Sequence, residues 1–209
     1  ISKDELLNLE TKIKKNKLSQ FASLVKDEPL LEKKLTGSKI IFTKNYPSIN
    51  TREFRLENGV QVFLKPTKNK EKSFSFEATS MGGYSHANLT TLPSAKITEH
   101  LIAESGLGDF SRVELVNKVD PSFAGVEVWI EPYQEGLKGE AITKYTKELF
   151  ELIYLNFTSV NFNETGLDNS KSILRERVRN ENLNPSRVFF KKVLHTYYQD
   201  HPRRKPWSL

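Results

Sequence analysis

At 209 residues, with 37% hydrophobic and 28% charged residues, the chain has room for one large domain, or a domain with an appendage, and the make-up of an ordinary globular protein. It contains no cysteine, which excludes disulfide frameworks, zinc ribbons and thiolate nucleophiles. The net charge of +6 is spread over interleaved Lys, Arg, Asp and Glu rather than gathered into a basic stripe, so no nucleic-acid partner is expected, and no apolar run reaches the roughly 18 residues of a membrane span.

The opening stretch ISKDELLNLETKIKK has no initiator Met and lacks the basic-then-apolar order of a signal peptide, so the chain is expected to be a piece of something longer. Leu6, Leu9, Ile13, Phe21 and Leu24 recur at helical intervals among lysines and glutamates, which predicts an amphipathic helix over residues 3 to 25. Pro29, Gly37 and Pro47 then punctuate a segment without sustained period, so residues 1–50 read as a linker helix followed by an extended linker, and the folded domain as residues 51–209.

The stretch REFRLENGVQVFLKP alternates apolar residues on either side of Asn58-Gly59, the pattern of a β-hairpin. Phe74, Phe76 and Ala78 alternate in a third strand. A helix carries SAKITEHLIAESG, with Gly106 and Gly108 as its expected stop, and Ser111 with Glu114 forms a capping box ahead of a short helix at 112–118. Val126, Val128 and Ile130 predict another strand, partnered by EGLKGEAI. Three helices are expected at 144–156, 164–181 and 185–199, the first turning Leu149, Phe150, Ile153 and Phe157 inward. Tyr145, Phe150, Tyr154 and Phe157 are read together as core, and Asn184-Pro185 as the start of the last helix. The sum is an α+β fold, an antiparallel sheet layered with helices.

One helical face carries the chemistry. On a helix, positions i, i+3 and i+4 lie together, so the inverted zinc-peptidase signature H-x-x-E-H presents two imidazoles to one metal and a general base beside it. Here those positions hold Lys96, Glu99 and His100. A protonated amine has no lone pair to donate, so Lys96 removes one ligand. Taken alone, Glu99 and His100 also fit an ordinary solvated helix face, with Glu99 pairing Lys96. His86, His195 and His201 stand singly and read as packing or surface residues, and no Walker loop, no G-x-S-x-G and no H-E-x-x-H occurs. The basic run HPRRKP, Arg203 to Lys205, reads as a solvated chain end. Three Asn-x-Thr triplets, at Asn88, Asn156 and Asn163, match the glycosylation pattern, as such short motifs often do by chance.

The combination of RLENGVQVFLKPT, SFSFEATSMGGYS, SAKITEHLIAESGLGDFSRVEL, SKSILRERVRNEN and YYQDHPRR resembles the insulinase/pitrilysin family of inverted-motif zinc peptidases, and within it the PqqL-like bacterial proteases of four similar domains. The likeness, from about Arg52 to Arg204, is to the linker plus the catalytically degenerate third domain. It implies a LuxS/metallohydrolase-like domain in which Lys96 stands at the first histidine ligand, Glu99 at the general base, His100 at the second histidine and Glu176 at the third ligand, with no catalytic residue, cofactor or metal in this segment. Zinc would belong to the parent's catalytic domain, where it polarises a peptide carbonyl and a glutamate shuttles the proton. Other domains of the same parent chain and an extended peptide substrate are the implied partners, in a periplasmic or otherwise exported setting, with strand edges holding the peptide. The resemblance also implies a closing helix and strand beyond KPWSL. Two other readings remain open at this stage: a stand-alone peptide- or protein-interaction module, and a divergent metal site using His100, Glu176 and one further ligand.

Overall fold

The computed structural model describes residues 2–15, 28–120, 124–199 and 201–207. Helix α1 (Lys3–Lys15) has acidic residues in its first turn and lysines in its last, complementing the helix dipole. The rest of that expected helix, with Phe21 and Leu24, lies outside the described residues.

Residues 40–46, expected within an extended linker, form strand β1 (Ile40–Tyr46) instead. It pairs antiparallel with β2 (Thr51–Leu56), which pairs in turn with β3 (Gln61–Leu64). Leu30, from the same expected linker, is buried in the main core. Linker composition hid both because a single buried leucine and one edge strand leave no period longer than a few residues. The β2–β3 hairpin turns at Asn58-Gly59: Gly59 has φ +90° and donates to the Leu56 carbonyl, while Asn58 Oδ1 accepts from Val60 N. A φ of that sign suits glycine.

One face of this sheet carries Glu53, whose side chain is only 2% exposed. Its carboxylate accepts from the Tyr46 hydroxyl at 2.7 Å, from Gln61 Nε2 at 2.7 Å and from Arg55 Nε at 2.9 Å. A carboxylate removed from water is stable only with partners of this kind. The Tyr46 hydrogen bond is the main cause that holds the Glu53 carboxyl below the ordinary carboxylate range; burial opposes it, and Gln61 and Arg55 reinforce it.

The second sheet has strand order β4-β7-β6, all antiparallel, from β4 (Ser73–Met81), β6 (Gly125–Ile130) and β7 (Gln134–Ile142). Period-two alternation sends Phe74, Phe76, Ala141 and Val126 to one face, where they meet Leu107, Phe110, Leu115, Leu149, Leu152 and Leu155. Gly136 and Gly139 of β7 leave space for neighbouring rings: a Cβ would come within 2.6 Å of the Trp129 ring at the first and 2.8 Å of the Phe76 ring at the second.

Helix α4 (Thr146–Thr158) covers that face, as β6 and β7 both contact it. Its buried line is Leu149, Leu152 and Leu155; of the residues expected inward, Leu149 is buried and Ile153 packs half-buried against the core, while Phe150 is 54% exposed, Phe157 71% exposed and Tyr154 also exposed. Aromatic and leucine positions lie one helical step apart, and periodicity could not choose between the two stripes. The leucines pack in one cluster with the small Ala141 and with Leu115 of α3 (Arg112–Val119). Phe150 lies at the margin, its ring 6.0 Å from that of Phe74.

Helix α2 (Leu92–Ala103) ends before Gly106, which starts the two-residue strand β5 (Gly106–Leu107) rather than stopping the helix. Gly108, at φ +56°, makes the turn after it. Strand β5 pairs with β8 (Val160–Asn161). The capping box at Ser111 and Glu114 is formed, with each side chain bonded to the other residue's amide. Asn163 caps α5 (Glu164–Leu183) and Asn184 caps α6 (Pro185–Tyr197), as the Asn-Pro pair predicts for the latter.

Two outcomes test this packing. Leu149→Ala is expected to lower the unfolding free energy by about 3 kcal/mol in urea titrations, whereas Phe157→Ala changes it by less than about 0.5 kcal/mol. Because the Glu53 pKa is lower folded than unfolded, its stabilisation is complete above the ordinary glutamate range and is lost as pH falls through the folded value. The stability gap between wild type and Glu53→Gln should therefore shrink on acidification from neutral pH to about 2.

Candidate functional site

Helix α2 begins on a built turn, in which Asn88 Oδ1 accepts from the Thr91 amide and hydroxyl, and Pro93 follows in the first helical turn. It lies against edge strand β6 on one side and α5 on the other. Helical spacing brings Lys96, Glu99 and His100 to one face, each partly buried.

Every one of these three residues is engaged in the fold. Glu99 Oε2 accepts from the Ile130 amide at 3.0 Å. Because Glu131 N turns toward β7 to bond Gln134 O, the Ile130 amide points out from the sheet edge, and Glu99 satisfies it. His100 Nε2 lies 3.7 Å from Glu99 Oε1, and the His100 carbonyl accepts from Ser170 Oγ at 3.2 Å, with Ser170 wholly buried on α5. The neighbouring Gly166 allows the two helices to approach, since a Cβ there would lie 3.0 Å from the Glu104 carbonyl.

Lys96 extends over the Tyr84 ring, with Nζ 5.5 Å from its centroid, and donates to the Lys205 carbonyl at 3.4 Å. Burial, followed by the positive charge of Arg204, holds its amine below the ordinary lysine range. Tyr84 belongs to a single 3₁₀ turn, Gly83–His86, pinned beneath the β6–β7 turn: Gly82 N donates to Tyr133 O, Tyr84 N to Glu131 O and Ser85 N to Pro132 O. Gly83 is required there, at φ +59°, because a Cβ would sit 2.0 Å from the Glu131 carbonyl. Burial raises the Tyr84 hydroxyl above its usual range.

Glu176 stands six residues beyond Ser170 on α5, about 9 Å along the helix axis. It is exposed and bonded to Arg179 Nη1 at 2.6 Å.

No family model matches the sequence, and comparison with curated proteins finds no match. Solved structures do match. The periplasmic protease PqqL from Escherichia coli superposes with a TM-score of 0.73 at 18% identity, over 100% of this chain and 23% of its own. The ferredoxin protease FusC, solved as a point mutant in complex with Arabidopsis ferredoxin, gives 0.67 at 18% identity over 93% of this chain and 22% of its own. A protease from Helicobacter pylori gives 0.56 at 16% identity, over 76% and 41%.

The chain shares with these proteases an α+β fold of antiparallel sheets layered with helices. This chain spans less than a quarter of the length of the first two neighbours.

Against that fold, the donor chemistry of Lys96, Glu99, His100 and Glu176 does not fit zinc. An ammonium group offers no lone pair, Glu99 is committed to a backbone amide and Glu176 to a guanidinium. Among the described residues, no group of three or more His, Asp or Glu is placed to hold a metal ion.

Sequence reasoning found the motif face but not its partners. Ile130 contributes a backbone amide, which has no residue signature. Tyr84 sits in a loop marked only by Gly82-Gly83. Arg203, expected in a solvated basic run, instead donates through Nη1 to the Tyr84 carbonyl at 2.9 Å and through Nη2 to the Ala87 carbonyl at 2.7 Å. A proline beside paired arginines is the only hint of order there. His86 lies on the same turn, with its ring edge close to Gly82.

If Glu99 serves the fold, Glu99→Ala should destabilise the protein by about 1–2 kcal/mol in denaturant unfolding, through the orphaned Ile130 amide. Glu99→Gln, which retains an acceptor oxygen, should recover most of the loss.

Proposed function

We propose that this chain is a non-catalytic domain of a longer zinc metalloprotease, in which it walls part of a chamber enclosing extended peptide substrate while another domain of the same polypeptide supplies zinc and hydrolysis. The observation that carries this reading is Lys96: at a position where an inverted-motif peptidase needs an imidazole, an ammonium group is bound to a backbone carbonyl. The chain's likeness to less than a quarter of PqqL and FusC supports its being one unit of a larger protein. So does helix α6, whose Phe189, Phe190, Val193, Leu194 and Tyr197 are all exposed; an apolar surface of this extent suits cover by a neighbouring domain.

A periplasmic location is part of the same proposal, in line with the location of PqqL. No helix among the described residues is long and apolar enough to cross a membrane.

The test is direct. The purified chain, supplied with zinc and unstructured peptides, is expected to cleave none of them, and the parent reading frame is expected to carry an intact H-x-x-E-H in another domain. Peptide cleavage by this chain that a chelator abolishes would overturn the reading.

A further inference from the structure

Residues 201–207 do not trail from α6 into solvent. After Gln199, at φ +47°, the chain turns back, and the His201 amide donates to Tyr198 O at 2.9 Å. A 3₁₀ turn, Pro202–Arg204, follows, closed by the Arg204 amide on the His201 carbonyl at 2.8 Å. From that turn Arg203 reaches the Gly83–His86 turn and grips two carbonyls, Tyr84 O and Ala87 O, with its two terminal nitrogens. Next to it, Lys205 O receives the Lys96 ammonium, and the Arg204 guanidinium stacks on Tyr198, 5.1 Å from its centroid.

The planar fork of arginine is suited to two carbonyls at once, because both N–H directions are fixed by the same plane. Lys96 adds a contact from a second element, helix α2. The segment is therefore tied at two points, to a loop and to a helix that are more than a hundred residues distant in sequence.

We infer that Lys96 and Arg203 form a latch that fastens residues 201–207 across the motif helix and the Gly83–His86 turn, so that Lys96 is an anchor for this segment and not merely a lost ligand. The depressed Lys96 amine agrees with this placement, since burial is its main cause. The inference stands on these contacts alone, whether or not the parent protein is a protease.

Native-state hydrogen exchange on the chain tests the latch, with Arg203→Lys and Lys96→Met as variants. The first keeps a positive charge but loses the fork, and the second keeps the stem over Tyr84 but loses the donor. Exchange at the hydrogen-bonded amides of His201 and Arg204 is expected to rise about tenfold in Arg203→Lys and several-fold in Lys96→Met. Amides of the β4–β7 ladder should be unchanged, reporting an intact fold. As an independent measurement, trypsin should cut the Arg204–Lys205 bond faster in both variants than in wild type. Unchanged exchange at those amides and equal cleavage rates in both variants would overturn the latch.

Discussion

A charge-assisted hydrogen bond from the Ile130 amide to the Glu99 carboxylate ties helix α2 to the edge of the sheet. Strand β6 is the last in the order β4-β7-β6, so its outward amides have no strand to receive them. Glu99 answers one of these. The same helix places Lys96 over Tyr84 and presents the His100 carbonyl to Ser170.

The contrast between the fold and its chemistry follows from how each is encoded. The sheet and its leucine core depend on volume and polarity, which many residues supply, so the likeness to PqqL and FusC persists at 18% identity. A metal site depends on lone pairs at fixed positions, and one substitution removes it. Lys96 is held in the fold by another kind of contact: a long stem packs on an aromatic ring while the ammonium finds a carbonyl. Glu53 shows the same logic in the other sheet, where an enclosed carboxylate is held by three donors from neighbouring positions.

The comparison of expectation with structure is most informative at α4 and at residues 40–46. On α4, leucines and aromatics occupy adjacent positions, and Leu149, Leu152 and Leu155 are the ones that the cluster of Leu107, Phe110, Leu115 and Ala141 encloses. Strand β1 was hidden because its pairing with β2 is a relation between segments, whereas its own sequence sits among Pro and Gly punctuation. Asn88 and Asn163, which also match the Asn-x-Thr pattern, build helix starts through their side-chain oxygens.

What the sequence determined by itself was local and periodic: the Asn58-Gly59 hairpin, the Ser111 and Glu114 capping box, the Asn184-Pro185 helix start and the α+β class. The same holds for the co-location of Lys96, Glu99 and His100 on one helical face. Each follows from turn chemistry or from the 2.0 and 3.6 periods, which act over a few residues. Only the tertiary structure decided what those three side chains touch. Their partners, the Lys205 carbonyl and the Ile130 amide, are backbone groups that every residue carries, brought into reach by the packing of distant segments.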